Sequence, residues 1–350
     1  MKKKVFLLAV GIVLGLTVII LAYEVMNNGG FSKNSSNSSE SEIVFESDES
    51  LENGADGQGE EKYYVWNGYV TEEDSVLDEK SVLRASGFFT NIYNKYLEGT
   101  NCTVYYAIIP DKNYYFEEES GMQRMDYETM YTLMNQNMNM AEEIELRDCL
   151  TLEDYYKTDT HWKQECLKSV VYRLEDKMEL EWNDASLPGE DQSLFMSWES
   201  YKPELISNQY YGSFHPKSQL CHTPDEFYYL SSAHLDQCKV YDYQNEIEIG
   251  IYNFQELEEG KNLYDGFLGG ALSLVTITNP EVLNGKELIL FRDSFGSSIA
   301  PLLTPYYEKI TLVDIRYVSS RLLDNWITFE DQDVLFLYST TVLNNSITLK

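Results

Sequence analysis

The carboxyl-terminal part of the chain alternates short apolar runs with segments of helical spacing, and this alternation limits the possible folds most strongly. Short apolar runs of this kind predict buried strands, and the segments between them predict helices. Parallel strands in one sheet need such crossover connections, which are right-handed. We therefore predict an α/β fold built on a parallel sheet. The predicted strands are residues 272–278, 287–291, 310–315 and 333–338, and the predicted helices begin at 297 and cover 318–326.

The preceding residues continue the pattern of helices between strands. We predict a helix over 76–98, a strand within 101–110, a helix over 125–143 and a strand at 144–146. A further helix is predicted from about His161 to Met178, with Thr160 as its N-cap. Residues 180–265 have weak periodicity, so we predict strands and loops there that are inserted into the sheet fold.

Residues 1–26 have the composition of a membrane anchor. Three lysines at positions 2–4 precede an uncharged apolar run over 5–23, which as a helix would be roughly 28 Å long and would span a bilayer. The lysines predict that this end is cytoplasmic and that the rest of the chain is outside. A cleaved signal peptide is the alternative, although no A-x-A-like site follows the run.

The remaining chain is predicted to form a linker and one large domain. Residues 27–61 are rich in Ser, Asn, Gly, Glu and Asp, a composition typical of a disordered acidic linker. Residues 62–350 have the pattern of a folded domain, which the predicted anchor would place outside the membrane. We therefore expect a single-pass protein of the cell membrane with an extracytoplasmic carboxyl-terminal domain.

The formal net charge of −32 excludes several classes of partner. Nucleic acids and anionic lipid surfaces need an excess of lysine and arginine, whereas this chain has 26 of these residues against 58 aspartates and glutamates. The five cysteines form no C-x-x-C pair, and the sequence has no metal-ligand cluster and no glycine-rich phosphate loop. We therefore predict neither a metal nor a cofactor.

Ser294 lies where a predicted strand meets a predicted helix. A serine at such a turn exposes its hydroxyl group at the carboxyl end of the sheet, next to the backbone N–H groups that begin the helix. This position suits a nucleophile whose developing oxyanion needs nearby donors. An ordinary turn serine is the alternative, because Asp-Ser is common in turns.

His161 is the best general-base candidate among the four histidines of the chain. Asp159, two residues earlier, is placed to accept a hydrogen bond from one ring nitrogen and to leave the other nitrogen for Ser294. The amino terminus of the predicted helix would also keep a nearby histidine neutral. A purely structural histidine that caps its helix is the alternative.

Other side chains near these motifs have less specific predictions. Trp162 is placed to stack on a sugar ring, although packing is the commoner role of a tryptophan at the start of a helix. His215, three residues after Gly212, is a candidate to line the cleft, and a position outside the cleft is the commoner alternative. His222 and His234 lie in polar loops and are predicted to be exposed.

Three separated motifs together resemble a known family. They are Thr158-Asp159-Thr160-His161-Trp162, Arg292-Asp293-Ser294-Phe295 and Asp314-Ile315-Arg316-Tyr317. In this order they resemble the DHHW family of bacterial surface proteins, which is similar to the alginate O-acetyltransferase group of the SGNH-hydrolase-like superfamily. The resemblance extends from about Tyr63 to the end of the chain. It implies a flavodoxin-like α/β sandwich in which Ser294 takes an acyl group, His161 is the general base and Asp159 orients it.

The resemblance also implies contacts with the substrate and the oxyanion. Arg316 corresponds to an arginine that contacts one of these, although a salt bridge with Asp314 is an equal alternative. Lys112 belongs to a strand-end Pro-x-Lys element and is predicted to line the cleft. Backbone N–H groups at Ser294 and near Gly270 are predicted to hold the oxyanion.

The chain departs from the family pattern at three positions. Relatives have an asparagine after two glycines, a candidate oxyanion donor, where this chain has Ala271. Losing one such donor lowers the rate of other enzymes by about 10² to 10³. Arg292 replaces the glycine that usually precedes the Asp-Ser pair, and Thr160 replaces the second histidine of the motif that names the family.

The implied function is acyl transfer at the cell surface. We predict a membrane-anchored extracytoplasmic serine enzyme, either an O-acetyltransferase or an acetylesterase, that acts on a cell-surface polysaccharide or another glycan. A membrane acyl-transferase is a candidate partner. The alternatives are a non-catalytic glycan-binding or envelope assembly protein on the same scaffold, and a structural element of a secretion or envelope complex whose reach is set by residues 27–61.

Overall fold

The computed structural model describes residues 55–56, 63–72, 76–117, 120–181, 198–215, 220–257 and 260–350. The predicted anchor (1–26) and most of the predicted linker (27–61) lie outside these ranges. Within the ranges, every helix is too short or too polar to cross a membrane. The described residues belong to one compact unit, residues 49–350.

Strands and helices alternate along much of this unit, and several short 3₁₀ turns connect them. The strands are β1 (Ala55–Asp56), β2 (Tyr63–Trp66), β3 (Tyr69–Glu72), β4 (Thr103–Ile109), β5 (Glu142–Ile144), β6 (Lys202–Tyr210), β7 (Asp225–Ser231), β8 (Lys239–Asp242), β9 (Ile247–Ile249), β10 (Leu274–Thr278), β11 (Glu287–Arg292), β12 (Lys309–Val313) and β13 (Asp333–Ser339). The α-helices are α1 (Glu79–Ile92), α2 (Tyr127–Asn137), α3 (Lys168–Lys177), α4 (Gly296–Leu303) and α5 (Thr340–Asn344).

An eight-stranded mixed sheet forms the centre of the fold, with the strand order β5-β4-β13-β11-β12-β10-β8-β9. The strands from β5 to β12 in this order run parallel to one another. β10, β8 and β9 extend the sheet by antiparallel pairing. The α/β class and the large central sheet are therefore confirmed, whereas the prediction that the 272–278 strand belongs to the parallel part of the sheet is wrong, because β10 is antiparallel to β12. The apolar run of β10 shows that the strand is buried, but burial does not fix its direction.

Helices cover both faces of the sheet, which explains why the central strands are apolar along their whole length. In β13, Leu335 and Leu337 belong to the core that α3 and α4 complete on one face. Val334 and Phe336 belong to the core that α1 and α2 complete on the other face. Each fully buried side chain of this kind contributes about 1.5–3 kcal/mol of hydrophobic stabilisation. The two cores make the sheet a rigid support for the residues at its strand ends.

The region between α3 and β10 was predicted as an insertion and is divided between two sheets. β6 and β7 pair with each other as a separate antiparallel ribbon. β8 and β9 instead form the outer edge of the central sheet. β1, β2 and β3 form a third, antiparallel sheet. The predicted helix over 318–326 is a 3₁₀ helix, Ser320–Asn325, and the predicted helix over 76–98 changes after α1 into a π-helical turn, Tyr93–Leu97.

Candidate active site

Ser294 lies in the turn between β11 and α4, at the carboxyl edge of the parallel strands. Asp293 fixes this turn: its Oδ1 accepts a hydrogen bond from a backbone N–H of the turn (3.1 Å), and its Oδ2 accepts one from the Ser339 N–H at the end of β13 (2.7 Å). Gly296 lets the chain fold back closely, because a Cβ atom there would lie 2.6 Å from the Arg292 Cβ. The Ser294 hydroxyl is therefore presented from a turn that is tied to two neighbouring strands.

The histidine and the aspartate predicted to serve Ser294 lie beside it. His161 Nε2 is 2.7 Å from Ser294 Oγ, and His161 Nδ1 is 2.5 Å from Asp159 Oδ1. The His161 side chain is 10% exposed and the Asp159 side chain is 0% exposed. The structure thus brings together a carboxylate, an imidazole and a hydroxyl group in the order that a Ser-His-Asp triad requires.

Asp159 is held as a buried anion by hydrogen-bond donors from three segments. Its Oδ2 accepts bonds from the Ser213 N–H (2.7 Å) and from Asn262 Nδ2 (2.8 Å), and its Oδ1 also accepts one from the His161 N–H (3.0 Å). Burial by itself raises the pKa of Asp159, but the His161 ring and these hydrogen bonds outweigh burial and hold the pKa well below its usual range. Asp159 is therefore ionised and able to orient and stabilise a protonated imidazole.

Aromatic rings fix the plane of the His161 imidazole. The Tyr264 ring stacks on it with the centroids 3.8 Å apart and an interplanar angle of 10°, and the Phe295 ring lies 4.8 Å away. The hydroxyl group of Tyr264 is in turn 2.7 Å from Ser298 Oγ in α4. The ring nitrogens therefore point along a fixed line between Asp159 and Ser294.

The segment that carries Asp159 and His161 is a closed loop and not the start of a helix. Tyr155 and Trp162 pair as an antiparallel bridge, and the Tyr156 N–H donates to the His161 carbonyl (3.1 Å). The chain then forms a 3₁₀ turn, and α3 begins only at Lys168. The predictions that Thr160 caps this helix, and that the helix terminus acts on the histidine, are therefore wrong.

Two of the predicted substrate contacts are buried. Trp162 is 0% exposed and its Nε1 donates to Ser298 Oγ (2.8 Å), so its indole packs in the core and is closed to a sugar ring. Lys112 is 2% exposed, and its Nζ donates to backbone carbonyl groups of the loop that carries Asp159 and His161. The packing alternative for Trp162 matches the structure, and Lys112 contacts the protein itself.

Arg316 forms the salt bridge that was the alternative to a substrate contact. Its Nε is 2.9 Å from Asp314 Oδ1 and its guanidinium NH2 is 2.7 Å from Asp314 Oδ2. Arg292, which is fully buried, lies 3.5 Å from the same Asp314 carboxylate. One buried carboxylate thus compensates two arginines beside the Ser294 turn, which gives Arg292 a structural reason to replace a glycine.

Of the two predicted oxyanion donors, one is engaged and one is open. The Gly270 N–H donates to the Phe267 carbonyl (3.0 Å) within its own turn, so it does not match the predicted role. The Ser294 N–H donates to none of the described residues. The backbone at Ser294 therefore has a donor available next to the hydroxyl group, and Ala271 adds no side-chain donor.

The three remaining histidines differ in their surroundings. His215 is exposed and packs against Tyr211, with the ring centroids 4.3 Å apart and the rings tilted by 34°. His222 is exposed, as predicted. The prediction for His234 is wrong: it is 5% exposed, and its ring lies between Tyr201 and a serine hydroxyl group. The sequence around His234 is polar, so it gave no indication that this loop folds against the core.

Sequence reasoning missed the residues that support the Asp-His pair. Asn262 and Tyr264 come from a 3₁₀ turn more than a hundred residues after Asp159, and Ser213 comes from the turn after β6. These residues contact the Asp159–His161 pair through a side-chain amide, an aromatic ring face and a backbone N–H, and contacts of these kinds leave no pattern in the sequence. Among the described residues, no group of three or more His, Cys, Asp or Glu side chains is arranged to hold a metal ion.

Fold and site together define a mixed α/β protein with a Ser-His-Asp arrangement at the carboxyl edge of its sheet. The family model described as "DHHW protein" matches residues 88–313. The chain therefore belongs to the DHHW family, and the resemblance stated from its motifs is confirmed. Comparison with curated proteins finds no match.

Solved structures with a similar fold include three with low sequence identity. A DHHW family protein from Eubacterium siraeum has a TM-score of 0.64 at 18% identity, covering 83% of this chain and 93% of its own. PatB1 from Bacillus cereus, solved with a sulfonyl adduct, has a TM-score of 0.59 at 13% identity, covering 81% and 95%. The O-acetyltransferase domain of AlgJ from Pseudomonas putida has a TM-score of 0.45 at 10% identity, covering 79% and 90%. The first two support the fold described above.

Proposed function

We propose that this protein is a serine acyl-transfer enzyme, either an O-acetyltransferase or an acetylesterase. The observation that carries the proposal is the distance of 2.7 Å between His161 Nε2 and Ser294 Oγ, with the ionised Asp159 buried behind the imidazole. A serine hydroxyl group is a weak nucleophile unless an adjacent base removes its proton. This geometry supplies the base and the group that orients it.

The reaction proceeds in two steps that use the same three side chains. His161 Nε2 takes the Ser294 proton while Oγ bonds to the carbonyl carbon of an acetyl ester, and the Ser294 N–H stabilises the oxyanion. His161 then gives the proton to the leaving alkoxide, which leaves an acetyl group on Ser294. An acceptor hydroxyl group, deprotonated by His161, attacks the acetyl carbon, the bond from that carbon to Ser294 Oγ breaks, and His161 returns the proton to Oγ. Transfer to water gives esterase activity by the same route.

The substrate and location in the proposal follow from the sequence. Cell-surface glycans carry the hydroxyl groups that accept an acetyl group, and a chain with a net charge of −32 favours a neutral glycan over an anionic one. The predicted anchor at 1–26 would hold the enzyme on the outer side of the cell membrane. A membrane acyl-transferase would then supply acetyl groups from the cytoplasmic side.

The proposal is tested with the purified full-length protein and 4-nitrophenyl acetate. Ser294→Ala should lower kcat/KM by about 10³ or more, because the nucleophile is lost. Ser297→Ala is the matched control, since Ser297 Oγ is buried without a hydrogen-bond partner among the described residues. We expect near wild-type turnover from this control. Equal turnover by Ser294→Ala and the wild type would refute the enzyme assignment.

A non-catalytic glycan-binding protein is the second candidate. The observation that favours it concerns the second predicted oxyanion donor: the Gly270 N–H already donates to the Phe267 carbonyl, and Ala271 stands where the family resemblance implies an asparagine. This candidate predicts that Ser294→Ala binds a neutral oligosaccharide as tightly as the wild type while neither protein hydrolyses the ester. Serine-dependent hydrolysis in the first experiment excludes it.

A further inference from the structure

Lys112 is a buried cation that is satisfied by backbone groups. It begins the 3₁₀ turn after β4, and its Nζ donates to the carbonyl oxygens of Tyr156 (3.0 Å), Lys157 (3.1 Å) and Asp159 (2.9 Å). None of the described carboxylates forms an ion pair with it. A lysine is almost never fully buried without a paired charge, so a specific role must justify this one.

The three carbonyl groups belong to the loop that carries the Asp-His pair of the candidate active site. Within residues 156–159, the Thr158 carbonyl group is the one that accepts no hydrogen bond from Lys112. It accepts one from the Phe214 N–H instead (3.1 Å). The Phe214 ring also lies 4.7 Å from Lys112 Nζ. Every carbonyl group of residues 156–159 is therefore held in place. The Lys157 carbonyl also accepts a hydrogen bond from the Val70 N–H (2.8 Å), whereas Lys112 is the one donor among the described residues to the carbonyl groups of Tyr156 and Asp159.

The number of donors on Lys112 depends on its charge. An ammonium group has three N–H donors, which match the three carbonyl acceptors, whereas a neutral amine has two donors and a lone pair that would face a carbonyl oxygen. Burial lowers the pKa of Lys112 to about 7, although the nearby Asp225, Asp159, Cys221 and Asp111 raise it. The third donor is therefore lost close to neutral pH.

We propose that the Lys112 ammonium group is a positioning element that holds residues 156–159 so that His161 meets Ser294, and that loss of its proton loosens this alignment and lowers the rate of acyl transfer. The effect of Lys112 on the rate rests on the proposed function. The effect of Lys112 on the loop follows from the hydrogen bonds alone. Lys112 thereby acts through Asp159 and His161 and has no contact with the reacting atoms.

Activity and stability are expected to change in opposite directions above neutral pH. A lysine whose folded pKa is depressed contributes stability that is present above its ordinary pKa of 10.5 and is lost as the pH falls through about 7. Deprotonation of Lys112 therefore makes unfolding less favourable. A fall in activity over this range then reports alignment of the triad and cannot be assigned to unfolding.

The first test is the pH profile of kcat/KM of the full-length protein for 4-nitrophenyl acetate between about pH 6 and about pH 9, with Ser294→Ala as the background. For the wild type we expect a decline that approaches tenfold per pH unit above the Lys112 pKa. Lys112→Met should be about ten- to hundredfold slower with no such decline. Lys112→Arg keeps its charge throughout and should lack the decline while exceeding Lys112→Met below neutral pH.

The second test does not depend on activity. Amide hydrogen exchange of peptides that cover residues 155–163, corrected for the intrinsic effect of pH, should be faster in Lys112→Met than in the wild type at about pH 6. Wild-type exchange should rise toward the Lys112→Met level at about pH 9. This pH comparison needs no variant, so it stands even if Lys112→Met fails to fold.

The outcomes separate this proposal from the proposed function. A Ser294-dependent activity whose alkaline decline survives in Lys112→Met would overturn the role of Lys112 and leave the enzyme assignment intact. Equal exchange of the loop at both pH values would overturn it as well. Absence of any Ser294-dependent turnover, together with charge-dependent exchange of the loop, would refute the enzyme and retain Lys112 as the element that holds the loop.

Discussion

Gly212 offers a sharp test of the triad, because its missing side chain makes room for Asp159. A Cβ atom at Gly212 would lie 2.2 Å from the Asp159 Cβ and 2.4 Å from its Oδ2. Real Cβ contacts essentially never fall below 3.0 Å, so the two residues must separate by about 0.8 Å in Gly212→Ala. The Asp159 carboxylate cannot move freely, since three segments donate hydrogen bonds to it.

The expected magnitude follows from this displacement. Overpacking a well-packed site costs about 1–3 kcal/mol of unfolding free energy. Moving a group that orients the reacting atoms by about 1 Å lowers the rate by about 10². We therefore expect Gly212→Ala to lose about two orders of magnitude in kcat/KM for 4-nitrophenyl acetate and to unfold about 1–3 kcal/mol more easily in urea.

Gly87 provides the matched control, because it is a glycine with open space around it. No heavy atom lies within 4 Å of a Cβ placed on Gly87, which is inside α1. Gly87→Ala should therefore leave kcat/KM unchanged and stabilise the protein by about 0.5–1 kcal/mol, since alanine is the better helix former. Wild-type kcat/KM in Gly212→Ala would refute the claim that the position of Asp159 controls the chemistry.

Two further predictions test the support of the site and the pH dependence of stability. Asn262→Ala removes a hydrogen bond to the charged Asp159 carboxylate, worth about 1.5–3 kcal/mol, and should lower kcat/KM about ten- to hundredfold; unchanged kcat/KM would contradict this. Burial lowers the pKa of His234 from 6.5 to about 4, so its contribution of up to about 3 kcal/mol is present above pH 6.5 and is lost as the pH falls through about 4. His234→Gln should therefore show a smaller loss of unfolding free energy than the wild type between about pH 6.5 and about pH 4 in urea titrations, and an equal loss would contradict the assignment.

The sequence predicted the parallel strands closely, and the reason is physical. Both faces of these strands are buried, so each is a continuous apolar run bounded by polar residues. β11 and β13 were placed within one residue at every end. β5 was predicted two residues late, because its first residues, Glu142 and Glu143, lie at the exposed edge of the sheet and carry no apolar pattern. The sequence also carries no pattern for strand direction. For this reason β10 was predicted as a parallel strand, although it is antiparallel to β12.

The core of the candidate site was also predictable from local spacing. Asp159 and His161 are two residues apart, and Ser294 follows a buried strand, so each motif can be recognised by itself. Their meeting was inferred from the fold and is present in the structure. What remained hidden was long-range support: Asn262 lies in a region of weak periodicity, and its contact with Asp159 depends on how that region folds back.

Lys112 shows a different limit of sequence reasoning. A lysine after a strand end is normally exposed, and a cleft position is the natural prediction from its motif. Only the folded loop shows three carbonyl groups that converge on Nζ, because backbone acceptors are the same for every residue type. The same reasoning applies to Trp162, whose indole is buried in the core and whose Nε1 has its acceptor, Ser298 Oγ, on the distant helix α4.

The central claim is that Ser294 carries the acyl group and that His161 activates it. The most direct measurement is peptide mass spectrometry of the full-length protein after reaction with 4-nitrophenyl acetate and rapid acid quenching. The account predicts one acetyl group on the peptide that contains Ser294 in the wild type and none in His161→Ala. An acetyl group on another residue at full turnover, or equal labelling of Ser294 in His161→Ala, would contradict it.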